Sequence, residues 1–125
     1  MYHVEVSNNS KTSFKALARN VEILIDLEGR SFTPLEALLA GIGSCVGVYL
    51  NRFFEMNKIS VNYNISLEAE LTKSPPICFR DINIVINLNG MKMDDHKMKQ
   101  MMEVVKKCPA HNTLKNNPNI KFAVI

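Results

Sequence analysis

Apolar and polar positions alternate most regularly over residues 59–67. Ile59, Val61, Tyr63, Ile65 and Leu67 share one parity, and Ser60, Asn62, Asn64 and Ser66 the other. A period of two predicts a strand with one buried face and one wet face. Ile82, Ile84, Ile86 and Leu88 alternate in the same way with Asp81, Asn83 and Asn87. Ser74-Pro75-Pro76 supplies the turn before this second strand, and Asn89-Gly90 closes it. Alternation is weaker near the N-terminus. Tyr2–Val6 and Phe14–Ala18 flank the polar segment Ser7-Asn8-Asn9-Ser10-Lys11, which reads as a hairpin. Val21–Ile25 is a third strand, and Glu28-Gly29-Arg30-Ser31 breaks the chain.

The period then changes. Thr33 is placed to cap a helix, Pro34 suits its first position, and Glu36 completes a capping box with Thr33. The helix is expected to run to about Met56. Between Leu35 and Leu50 only Glu36 and Ser44 are polar. A helix apolar around its whole circumference must be covered on all sides. Two chains cover it more readily than one, so the pattern predicts an obligate homodimer. Gly41, Gly43 and Gly47 each cost about 1 kcal/mol relative to alanine in a helix interior, which suggests close approach by another element.

Farther on, Asp94 is placed to cap a second helix. Met98, Met101, Met102 and Val105 recur at helical spacing and read as a core stripe. Cys108-Pro109 interrupts this helix. A short helical turn through Leu114 and a last strand at Ile120–Ile125 are expected to follow. The order predicts an α+β fold, an antiparallel sheet around a long buried central helix, in a single domain spanning residues 1–125.

Composition changes little in this picture. Hydrophobic residues make up 46% and charged residues 22% of 125 residues, a globular balance that needs no structural metal or disulfide. A net charge of +3, without a Lys/Arg run, gives no reason to expect nucleic acid. The N-terminal residues lack the basic and apolar regions of a signal peptide. The apolar run Ala37–Leu50 is shorter than the roughly 18 residues of a membrane span. A cytoplasmic location is expected, with no membrane partner and with the three cysteines kept as thiols of which two can cycle.

The cysteines carry the candidate chemistry. Cys45 lies inside the apolar helix, where cysteine is often a small core hydrophobe. Cys78, beside Phe79 at a strand entrance, reads the same way. Cys108 precedes Pro109 at a helix start, where free N–H groups, the helix dipole and Lys106 and Lys107 would favour a thiolate. Cys108-Pro109-Ala110-His111 also has a Cys-x-x-His spacing that, with Cys45, gives at most a metal half-site. His111 could instead tune Cys108 or bond the backbone. His3 and His96 have no evident partner.

Two segments together resemble a known family. Thr33-Pro34-Leu35-Glu36-Ala37-Leu38-Leu39-Ala40-Gly41-Ile42-Gly43-Ser44-Cys45 is similar to the first cysteine motif of the OsmC/Ohr family, and Cys108-Pro109-Ala110-His111-Asn112-Thr113-Leu114 to its second. The family includes osmotically inducible protein C and the organic hydroperoxide resistance proteins. The resemblance implies an intertwined homodimer and peroxiredoxin-type chemistry, with no metal or organic cofactor. Cys45 would attack the O–O bond of an organic hydroperoxide and become a sulfenic acid, Cys108 would resolve it as a disulfide, and an external dithiol would restore both thiols.

Two positions depart from that pattern. The peroxidases place a glutamate directly after the proline, where this chain has Leu35. Glu36 lies one step later, rotated by about 100° from that position, and stands about 13.5 Å along the helix from Cys45 on the opposite side. They also use an arginine from the N-terminal hairpin, which here contains none, leaving Arg19, Arg30 and Arg80 as substitutes. The pattern is closer to the broader OsmC-like branch. The dipole favours Cys108 as the low-pKa thiol, whereas the resemblance gives the attack to Cys45. The alternative function is a non-catalytic OsmC-like protein that binds a ligand or senses redox state.

Overall fold

The computed structural model describes all 125 residues. They form two compact units, residues 1–40 and 41–125.

The first unit is an antiparallel meander of β1 (Glu5–Asn8), β2 (Ser13–Ala18) and β3 (Val21–Asp26). Its register pairs Val6 with Ala16 and Ser13 with Asp26. The first turn is tied by Ser13, whose carbonyl accepts from the Asn9 and Ser10 N–H groups and whose hydroxyl lies 2.7 Å from that of Ser10. Ser10-Lys11 thus belongs to the turn, while Asn8, expected in it, ends β1. The second turn is two residues long, and Arg19 adopts a left-handed φ of 57° to make it. After β3 the Asp26 side chain is fully buried. It accepts from the Glu28 N–H at 2.9 Å and from Arg30 Nε at 2.6 Å. Glu28 N–H and Arg30 together hold its carboxyl below the usual aspartate range, against burial.

The long helix α1 covers Pro34–Met56, as its start signals predict. The capping box forms in full: Thr33 N–H donates to Glu36 Oε1 at 2.9 Å and Glu36 N–H to Thr33 Oγ1 at 3.3 Å. At 23 residues α1 is long and apolar enough, by length and composition, to cross a membrane. Its buried residues Ile42, Gly43, Val46, Leu50, Phe53 and Phe54 instead form one stripe at helical spacing.

The second unit packs that stripe against β4 (Asn64–Leu71), β5 (Phe79–Asn87), α2 (Asp95–Val105) and α3 (Pro109–Lys115). Phe53 and Phe54 meet edge to face, with ring centroids 5.6 Å apart. Full burial of each contributes about 1.5–3 kcal/mol. Gly43 admits Leu67 so closely that a Cβ would lie 2.6 Å from Leu67 Cδ1. Gly41 has open space around it, so close packing explains only part of the glycine content.

β4 and β5 are antiparallel, with Leu67 opposite Ile84 and a register shift between Ala69 and Leu71. The alternation seen over residues 59–67 persists in burial, but pairing starts only at Asn64. Its partner β5 ends at Asn87, after which Asn89 (φ 53°) and Gly90 (φ 84°) turn the chain away. Asp94 caps α2, its carboxylate accepting from Lys97 N–H at 2.7 Å. Met101 and Val105 enter the core, while Met98 and Met102 stay exposed, so only half of the expected stripe is core. The expected last strand does not form. Residues 120–125 have no ladder partner in this chain, and Phe122 is 93% exposed. The α+β class holds, with two antiparallel sheets in place of one.

Candidate active site

Two helices meet at the cysteines. Cys45 sits on α1, immediately before the buried Val46. Cys108 is the N-cap of α3: Pro109 takes the first helical position, and the Cys108 carbonyl accepts from Asn112 N–H at 3.0 Å. The tightening end of α2 delivers Cys108 there, through Cys108 N–H to the Val105 carbonyl at 3.2 Å.

The Cys45 thiol is half-buried and has two close polar partners, the Cys108 side chain and the Ala110 N–H. Burial pushes the Cys45 thiol up from its ordinary value, and the hydrogen bond with Cys108 adds to this. The Ala110 N–H and the positive charge of Arg52 pull the other way without overcoming it. Both sulfurs are free thiols in this arrangement.

Cys108 is fully buried within the hydrophobic cluster, and its side chain makes no capping bond. The helix start expected to favour a thiolate at Cys108 is present, but the sulfur there is withdrawn from solvent. Of the two adjacent sulfurs, Cys45 is the one that reaches solvent. Cys78 is exposed, and its backbone is bonded to Thr72 on both sides.

The arginine expectation is also corrected. Arg30 is committed to Asp26 and lies 3.8 Å from Glu28, and Arg19 forms a turn. Arg80 lines a cavity of about 400 Å³ with Ile42, Phe79 and His111 among others. The cation that acts on Cys45 is Arg52, which also lies 4.6 Å from the Tyr49 ring centre. Arg52 is two helical turns beyond Cys45, on the same face. That spacing was visible in the sequence.

A smaller apolar cavity of about 160 Å³ adjoins the pair in the chain. It is lined by Val46, Ile84, Ile86, Met102, Val105, Lys106 and His111. Its size is roughly that of a cavity that takes a benzene ring. Cys45, Cys108 and His111 do not converge as a metal site: no three His, Cys, Asp or Glu side chains do so in this structure. His3 pairs with Glu5 at 3.2 Å.

Comparison with known proteins gives this geometry a family. Residues 27–123 match the family described as OsmC-like protein. The chain belongs to the OsmC-like family. A protein of Mycoplasma genitalium named hydroperoxide reductase is 26% identical, the match covering 98% of this chain and 93% of that protein. The crystal structure of an OsmC-like protein from Mycoplasma pneumoniae superposes with a TM-score of 0.78 at 25% identity, covering 94% of this chain and 89% of that one. The organic hydroperoxide resistance protein OhrB of Bacillus subtilis shares the fold at a TM-score of 0.65 and 16% identity, covering 92% of each chain. Within this OsmC-like chain, the two motifs that carried the resemblance bring Cys45 and Cys108 together in one hydrophobic cluster.

Proposed function

We propose that this OsmC-like protein reduces organic hydroperoxides through Cys45 and Cys108. The observation that carries the reading is the adjacency of a half-exposed thiol and a fully buried one, with chain neighbours of both lining an apolar cavity. The relatives named for hydroperoxide reduction support the substrate class.

In this reading Cys45 attacks, because it alone of the pair reaches solvent. Its thiolate takes the distal oxygen of the hydroperoxide, the O–O bond breaks, and an alcohol leaves once protonated. The Cys108 sulfur then displaces hydroxide from the Cys45 sulfenic acid, which leaves as water, and the disulfide forms. An external dithiol reduces it, no metal or organic cofactor takes part, and the reducing cytoplasm is the fitting compartment. The chain acts as a homodimer. This is supported by the apolar side chains left uncovered in the second unit, Val48 at 48% and Val85 at 61% exposure. A stable folded monomer in sedimentation would overturn the dimer.

Turnover of cumene hydroperoxide with a dithiol tests the activity. Consumption above a Cys45→Ser control is expected, and its absence would remove the enzymatic reading. The raised Cys45 thiol favours a second reading, a redox sensor that forms the disulfide once. The same assay separates the two, since a sensor oxidises without sustained turnover.

A further inference from the structure

We propose that His111 is a further catalytic residue of this site: it takes the proton that Cys45 gives up and returns it to the departing alkoxide. This rests on the hydroperoxide reading above and assigns its proton path. Three observations converge on His111. Its Nδ1 is the one buried side-chain nitrogen or oxygen in the protein with no hydrogen-bond partner. Leaving such an atom unpaired costs about 1–3 kcal/mol, so an unpaired buried ring nitrogen calls for a reason. His111 also lines both cavities on this side of the second unit, the apolar one with Val46 and Met102 and the larger one with Ile42 and Arg80. Finally, His111 directly follows Ala110, whose N–H contacts the Cys45 sulfur, while Ile42 and Val46 flank Cys45 on α1. His111 therefore sits next in the chain to a residue that touches Cys45, and it lines cavities shared with the α1 residues on either side of that cysteine.

The reaction needs such a group. Cys45 starts as a thiol held above its ordinary range, and an alkoxide is a poor leaving group unless protonated. No carboxylate lines either cavity. The proton passes from Cys45 to Nδ1, through one water where needed, and His111 becomes an imidazolium. The thiolate sulfur bonds to the distal oxygen, the O–O bond breaks, and the imidazolium proton goes to the alkoxide. Thiol and hydroperoxide become sulfenic acid and alcohol, and His111 ends neutral.

The test compares leaving groups. Reduced wild-type protein and His111→Gln are mixed with tert-butyl hydroperoxide, whose alkoxide needs a proton, and with peracetic acid, whose acetate does not. Alkylation of Cys45 by iodoacetamide reports thiolate access alone. His111→Gln is expected to slow tert-butyl hydroperoxide by about 10²-fold, in the range of general acid–base catalysis. Peracetic acid and iodoacetamide should change by no more than about threefold. Equal losses with all three reagents, or no loss with any, would overturn the proposal. If His111→Gln does not fold, the wild type decides. Its preference for peracetic acid over tert-butyl hydroperoxide should be at least about tenfold weaker than that of a free small thiol, and an equal preference would overturn the role. A wild type no faster than Cys45→Ser with tert-butyl hydroperoxide would sink the hydroperoxide reading itself, a result distinct from either.

Discussion

Asp26 and Cys45 are both acidic groups withdrawn from water, and their surroundings treat them in opposite ways. Asp26 is fully enclosed, yet a backbone N–H and the Arg30 guanidinium hold its carboxyl down in its charged form. Cys45 is less buried, yet its thiol is pushed up, because one N–H and an exposed arginine offset only part of the desolvation and of the bond with Cys108. The partners decide more than the depth. A buried group with every partner supplied is a structural tie. A group whose partners do not offset its desolvation keeps its proton at ordinary pH, and in the reading proposed above it gives that proton up to a neighbouring base.

The comparison breaks most sharply at the cysteines. Cys45→Ser should lower hydroperoxide turnover by more than about 10³-fold, measured by consumption with a dithiol, because it removes the nucleophile. Cys108→Ser should leave the first oxidation of Cys45 intact but stop disulfide formation, seen as one oxidised equivalent without recycling. It also places a hydroxyl in the apolar cluster, costing about 1–3 kcal/mol in denaturant unfolding.

Asp26→Asn should lower Tm and leave the Cys45 alkylation rate unchanged. In the wild type the lowered Asp26 pKa gives a contribution that is complete above the unfolded aspartate value of about 3.9. It is lost as pH falls from there through the folded value, so the Asn variant should converge on wild type in acid melts.

Cys45 has the opposite sign. Its alkylation rate should keep rising with pH beyond the ordinary thiol value of about 8.5, and a plateau below that would contradict the burial argument. The smallest effect is expected from Arg52→Gln, a fall of about twofold to threefold in that rate at neutral pH, because the charge is exposed and screened. Arg52→Lys should restore most of it.

The sequence was most legible where the governing interactions are local. The Thr33–Glu36 box and Pro34 give the start of α1, and Asp94 gives that of α2, because caps are made by residues three apart. Strand limits depend on distant partners. Residues 59–63 alternate as well as any in the chain but remain unpaired, because β5 ends at Asn87. The expected strand at 120–125 likewise has no ladder partner in this chain. At the site, the motifs gave Cys45 and Cys108 but not their surroundings. Arg52 is legible from its seven-residue spacing to Cys45, whereas Arg19, Arg30 and Arg80 have no such periodic relation to it. The full burial of Cys108 and the unpaired Nδ1 of His111 arise from packing among α1, β5, α2 and α3, which no local pattern records.

The most direct measurement concerns which sulfur is oxidised first. Cys108→Ser protein is reduced, exposed to one equivalent of cumene hydroperoxide, trapped with a sulfenic-acid reagent and mapped by mass spectrometry. The adduct is expected on Cys45, the half-buried thiol, with little on the exposed Cys78. An adduct confined to Cys78, or none on Cys45 while peroxide is still consumed, would contradict the assignment of Cys45 as the attacking thiol.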